Sequence, residues 1–380
     1  MHTRIKAYQF PRFNGPNQNN FGFELSLRVN QYFDKNDLAK TGNIQLFTKS
    51  AFFIFMYFAP IVISYFFTLP ILVFVFLYSI AGVGMACIGF CIMHDANHGA
   101  YSSKKWINSM MGNTIALIGG NADSWKIQHN VLHHCFTNIP GYDDDIGEKP
   151  LVRLSPDSKW RRIHRYQSYY VFLLYGLSTL YWALLKDILQ IGRYQKLGIL
   201  KGSSKVSARR IYLNIILSKI IYFSVFFGLP YYIGEMPYLM YIAGFLIMHF
   251  FAGLITTVVF QLAHVVEDTA YFVPDSNNSI NESWALHQLL TTSNFATRNR
   301  FISWFIGGLN FQIEHHLFPS ISHVHYNKIS QIVKETALEY GIPYYETKGF
   351  WQAICSHWKT LHSLGNNNVP LIRYDDDKSA

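Results

Sequence analysis

Residues 50–69 read SAFFIFMYFAPIVISYFFTL and residues 71–93 read ILVFVFLYSIAGVGMACIGFCIM, two apolar stretches separated by Pro70. Each can cross a hydrocarbon layer of about 30 Å, which takes around 20 residues of helix. A second pair follows at 211–233 (IYLNIILSKIIYFSVFFGLPYYI) and 238–263 (YLMYIAGFLIMHFFAGLITTVVFQLA), joined by the turn Gly234–Pro237. The 380 residues are 50% hydrophobic and 17% aromatic but only 14% charged, against roughly 25% charged in soluble domains. A set of soluble domains, low-complexity disorder and a coiled coil are therefore excluded. The net charge of +9 comes with no basic recognition motif, so the cations are assigned to a membrane surface carrying membrane lipid and not to nucleic acid.

Charge asymmetry orients the hairpins. The turns at Pro70 and Gly234–Pro237 hold no Lys or Arg, whereas residues 94–210 hold sixteen. The positive-inside rule places that long stretch and both termini in the cytoplasm. The expected fold is an all-α integral membrane protein, with four transmembrane helices in two hairpins and a cytosolic helical cap. A polar cytosolic segment (1–45) precedes the membrane domain (46–345), and a cytosolic tail (346–380) follows. Residues 168–187, rich in Tyr and flanked by Arg161, Arg162, Arg165, Lys186 and Arg193, are expected to lie along the cytoplasmic leaflet and not to form a fifth span. Residues 301–313 are too short to cross and are expected as one interfacial or buried helix. The stretch after about 330 has the period of an amphipathic helix, and the last residues, RYDDDKSA, read as a frayed end. The N-terminal twenty residues lack the apolar core of a secretory signal. Cys87, Cys91, Cys135 and Cys355 form no C-x-x-C pair and read as reduced core residues.

Sixteen histidines are present, and eight gather in four places. His94 and His98 lie in MHDANHGA; His129, His133 and His134 in QHNVLHHCFTN; His264 in QLAHVVED; His315 and His316 in NFQIEHHLFP. Residues four apart share a helix face, so His94/His98 and His129/His133 can each aim two imidazoles at one point. Neighbours diverge by about 100°, so the doublets can serve two adjacent metals. Eight imidazoles exceed the four ligands of one zinc site, which implies two metals, and imidazole without thiolate suits iron, zinc or copper(II). Asp95, Asn97, Asp123, Asn130, Glu267, Asp268, Asn310 and Glu314 are placed either to hold the outer ring nitrogens or to serve as solvated loop groups. Asp143–Asp145 reads as a surface loop. His249, within the fourth span, and His2, His164, His287, His323, His325, His357 and His362 are read as packing or surface residues.

HDANH, HNVLHH and QIEHH together resemble the three histidine boxes of the membrane fatty-acid desaturases, and the likeness extends over about residues 45–345. The third box, with Gln312 where most of that superfamily carries histidine, resembles the front-end and linoleoyl-CoA-type branch. The resemblance implies two iron ions held by His94, His98, His129, His133, His134, His264, His315 and His316, with Gln312 either a weak ligand or a holder of water beside them. It also implies a long-chain, already unsaturated fatty-acyl substrate, O2 as oxidant and a new cis double bond towards the carboxyl end. No His-Pro-Gly-Gly haem motif occurs, so the electrons are expected from a separate ferredoxin or cytochrome, steered by the cationic face. The expected location is a multi-pass membrane protein with a cytosolic site, in a bacterial plasma membrane rather than endoplasmic reticulum.

Trp125 and Trp284 are candidates for the wall of an acyl tunnel, and Lys104, Lys105, Arg161 and Arg162 for an acyl headgroup. The same di-iron core would also serve a hydroxylase or ketolase, which sequence spacing does not separate. A metal or proton transporter would need ionisable groups at the bilayer midplane, where His249 and Lys219 stand. A membrane b-type cytochrome would need facing histidine pairs within the spans.

Overall fold

In the computed structural model, residues 9–15, 20–200, 207–368 and 373–374 are described. His2 and residues 375–380 lie outside them. Four helices are long and apolar enough to cross a membrane: Ile44–Phe66, Ile71–Asn97, Ala208–Ile233 and Tyr238–His264. The first begins six residues before the hydropathy limit because the Asn43 side chain caps it, accepting from the Leu46 N–H. The second runs past residue 93 to Asn97, its ladder widening into a π-helical turn at Gly89–Met93.

The second span lies between the first and the fourth. Glycines permit both approaches: a Cβ on Gly84 would stand 2.8 Å from the Tyr57 backbone nitrogen, and one on Gly82 would stand 2.5 Å from the Met248 carbonyl oxygen. Small residues at such contacts bring membrane helices together by close packing, since lipid tails are as apolar as the side chains. The third span is tied in by Lys219, whose ammonium donates to the carbonyls of Gly119, Trp182 and Ala183 and lies 3.5 Å from Asp187. His249 is equally internal, between the Tyr222 hydroxyl (2.9 Å) and Thr179 Oγ1 (3.1 Å). Both midplane candidates for transport are thus committed to packing.

The ambiguous segment is two helices, Arg162–Gly176 and Ser178–Leu197, bent by 55°. The bend sits at Gly176, where a Cβ would meet the Phe250 ring at 2.3 Å. Past it, Ser178 and Thr179 anchor to the fourth span through Thr257 Oγ1 and the His249 carbonyl.

The expected single helix at 301–313 is instead a short helix, Arg300–Phe305, and a second one, Gln312–Leu317, divided by Gly307 and Gly308 in the left-handed region (φ +62° and +64°). Two adjacent positive φ values break a helix, and glycine adopts them without strain.

The N-terminal segment is more ordered than its polarity suggests. Phe21, Leu25, Val29 and Phe33 form a buried stripe on the helix Phe21–Lys35, which packs against the helix Tyr326–Glu339 with an Arg28–Glu339 ion pair of 2.7 Å. Three two-residue parallel strand pairs strap the cap: Arg12–Phe13 with Ser279–Ile280, Asn294–Phe295 with Glu346–Thr347, and Tyr271–Phe272 with Arg373–Tyr374. The last pair holds part of the tail expected to fray. Of the cysteines, Cys87 and Cys91 are buried, Cys135 is half-buried and Cys355 is exposed, so the core reading fails for Cys355.

Among the described residues three apolar clusters result, the two larger through the spans and in the cap, and a small one around Ile191 and Ile211. The histidines lie between the two larger in the chain: Met93 and Trp125 belong to the first cluster, and Phe136, Ile313 and Leu317 to the second.

Candidate metal centre

Four elements converge. His94 and His98 end the second span, and His264 ends the fourth. His315 and His316 ride on Gln312–Leu317. His129 and His133 lie on a π-helical turn, Ile127–His133, after which the His134 N–H donates to the His129 carbonyl at 2.9 Å, a bond spanning five residues.

On this turn, whose hydrogen bond spans five residues, His134 returns to the face of His129, while His129 and His133, expected to aim at one point and with rings 5.3 Å apart, go to different groups. His129 joins His94, His98 and His315, with ligand atoms within 4.8 Å of one another, whereas His133 joins His264 and His316 in a second such group. His134 stands between the groups, its Nε2 3.1 Å from His129 Nε2 and its ring stacked at 4.4 Å on His316. The doublet His315/His316 diverges as its spacing predicts, one ring to each group.

The donor set fits metal ions. Nε2 of His98, His133, His264, His315 and His316 and Nδ1 of His134 are buried without a hydrogen-bond partner. Each buried polar atom left unmatched costs about 1–3 kcal/mol, so six within one cluster of rings is an arrangement that a bound cation resolves. Burial, reinforced by the neighbouring imidazoles, pushes His98, His129, His134, His315 and His316 well below the ordinary histidine range. Neutral imidazole is the form that binds metal. At His133 burial also lowers the pKa, but the Asp143 carboxylate at 3.2 Å outweighs it and the net shift is upward.

Most of the chain is accounted for by one group of known proteins. A family model described as fatty acid desaturase matches residues 69–348. The chain belongs to the fatty acid desaturase family. It is therefore an oxygen-dependent oxidoreductase with membrane-spanning helices, and its histidine clusters are consistent with a metal site. Similar desaturases include the sn-1 linoleoyl-lipid 6-desaturases of Arthrospira platensis (35% identical, 91% of this chain and 93% of that one) and of Synechocystis sp. (33%, 90% and 94%). The acyl-lipid (8-3)-desaturase of Physcomitrium patens is 34% identical over 91% of this chain and 72% of its own.

Other predicted residues of this desaturase fall in three places. Gln312 is buried near His264, and Trp125 stacks on His129 at 4.3 Å and meets His94 and His98 edge-on at 5.6 Å. Asp95 Oδ2 is held by Ser322 and His323, while Oδ1 stands 4.0 Å from His94 Nδ1.

Asn97, Asn310 and Glu314 make their contacts away from the histidine rings. Asn97 donates to the Gly112 carbonyl, Asn310 to the Ala296 carbonyl and Ser303, and Glu314 accepts from Asn294 and Tyr344. Glu267 faces Lys359. Trp284 packs in the cap cluster away from the histidines, and Lys104, Lys105, Arg161 and Arg162 are exposed.

The groups that meet the outer ring nitrogens are ones the sequence did not single out. Asp143, read as a surface residue, is buried against His133. Thr291 offers its carbonyl to His264, Tyr326 its hydroxyl to His315, and Gln288 its amide oxygen to His316. Only Asp143 carried a signal, an acidic run ten residues beyond a histidine in a loop too short to leave it.

Proposed function

We propose that this desaturase inserts a cis double bond into an acyl chain that already carries one, on the carboxyl side of it, while the chain is esterified to a membrane glycerolipid. The reading rests on the two converging histidine groups, with support from relatives that act on linoleoyl lipid along almost their whole length. The balanced reaction takes the acyl chain, O2, two electrons and two protons to the desaturated chain and two waters.

In this proposal His94, His98, His129 and His315 hold one iron ion and His133, His264 and His316 the other, with His134 between them and Gln312 beside His264. Two iron ions bound there would supply the dioxygen activation needed to remove hydrogen from unactivated methylenes. Burial holds His98, His129, His134, His315 and His316 as neutral donors and keeps water away, and Asp143 braces His133. Trp125 offers an apolar face beside the first group, against which an acyl chain can lie with chosen carbons near the metals. The electrons come from a separate acidic ferredoxin or cytochrome docking on the cytosolic face, and the protein resides in a bacterial membrane.

The test is a mass-spectrometric profile, with double bonds located, of cells fed linoleate and expressing the chain or His315→Ala. A new polyunsaturated acid in the glycerolipid fraction, made only by the intact chain, is expected. A hydroxylated acid, or a product confined to the acyl-CoA pool, would overturn the corresponding part of the proposal.

A further inference from the structure

The three imidazoles of the second group each turn one nitrogen outward, and each outward nitrogen meets an acceptor from beyond the histidine motifs. His133 Nδ1 lies 3.2 Å from Asp143 Oδ2, His264 Nδ1 3.3 Å from the Thr291 carbonyl oxygen, and His316 Nδ1 2.9 Å from Gln288 Oε1. The inward Nε2 of all three is buried and unmatched. A neutral imidazole carries its proton on one nitrogen and its lone pair on the other. An acceptor at Nδ1 therefore fixes the tautomer whose lone pair points inward from Nε2, and it fixes the plane of the ring as well.

Two of these acceptors come from one helix, Trp284–Thr291, capped by Ser283, whose side chain accepts from the Leu286 N–H. Gln288 and Thr291 are fully buried on it. Gln288 is further braced by Thr137, whose hydroxyl lies 3.1 Å from the same Oε1 and 2.7 Å from the His133 carbonyl. Gln288 thus touches His316 directly and is linked to the backbone of His133 through one hydroxyl. The first group differs: His94 Nδ1 is 4.0 Å from Asp95, and His315 Nδ1 faces the Tyr326 hydroxyl, which can donate or accept.

We propose that Gln288 is a positioning residue for the second metal position, holding His316 with Nε2 as the donor, and that the Trp284–Thr291 helix clamps that half of the centre. The proposal rests on the two-iron reading of the site. Gln288→Met keeps the length of the side chain and removes the nearer acceptor, leaving the Thr137 hydroxyl at 3.3 Å, whereas Gln288→Glu restores an acceptor at the same place.

The full-length protein in lipid nanodiscs is loaded with Fe2+ without oxygen, and iron per chain is counted across a chelator titration. The intact chain and Gln288→Glu are expected to hold two ions. Gln288→Met is expected to hold one firmly and to bind the other about 10–100-fold more weakly, the usual effect of removing a partner of a metal-bound histidine. Gln288→Asn, which keeps the amide but falls one methylene short, carries the same expectation should the Met variant not fold. Melting of the metal-free proteins serves as control, since a role in packing alone would lower the melting temperature without separating Met from Glu in iron content. A Met variant that retains both ions at the chelator resistance of the intact chain sinks the positioning role and leaves the two-iron reading standing. An intact chain that binds no iron overturns both.

Discussion

His249 and His264 show how little a residue's identity says without its surroundings. They lie fifteen residues apart on one span, both buried. Both ring nitrogens of His249 are matched by Tyr222 and Thr179, whereas Nε2 of His264 is unmatched and turned toward His133 and His316. His249→Leu is expected to retain iron and product while losing about 1–3 kcal/mol of stability, since it removes the imidazole from the buried Tyr222 hydroxyl; thermal unfolding and iron content check this together. His264→Ala is expected to abolish product and to remove iron, with the spans intact. At this scale the sequence was most informative for the histidines themselves, because pairs and doublets at fixed spacing are visible in one dimension. Gln288, Thr291 and Tyr326 were not visible, because each meets its histidine through the fold, Gln288 and Thr291 from a distant segment, and Asp143 was marked only by its place ten residues beyond His133.

Elements were legible in kind and less so in detail. Four apolar stretches of spanning length leave few alternatives, but hydropathy does not register a change of helical pitch, so the π turns at Gly89–Met93 and Ile127–His133 were missed. The amphipathic stripe of Phe21–Lys35 was obscured by its polar surroundings. The break at Gly307–Gly308 was missed because the stretch is apolar throughout. That break supports a prediction: Gly307→Ala places a non-glycine residue at φ +62°, at about 1–2 kcal/mol. It also sets a Cβ 2.7 Å from the Phe90 carbonyl on the π turn that leads to His94. Since Gly307 also opens the segment carrying His315 and His316, the variant is expected to lose several-fold in product with expression and membrane insertion unchanged. Immunoblotting of membranes alongside the fatty-acid profile would check it, and full activity would show that the contact is easily relaxed.

For the whole molecule, the histidine site bears on the count of crossings that hydropathy left open. His133 and His264 lie in one group, their rings 4.7 Å apart, and between them the chain passes through the bent segment and two spans. Two crossings return the chain to the face it left, and a third would not, so the bent segment is expected to enter and leave on one side. Reporters inserted after Asn138 and after Pro319 are expected to face the same compartment; opposite sides would make the segment a true span. The strap of Arg373–Tyr374 on Tyr271–Phe272 has a consequence of another sort. Tyr271 follows His264 by only seven residues, so Arg373–Tyr374 is moored close to the histidine site. An electron carrier appended there by a short flexible linker would be present at an effective concentration in the millimolar range, and its reduction of the site would become independent of how much carrier the cell contains.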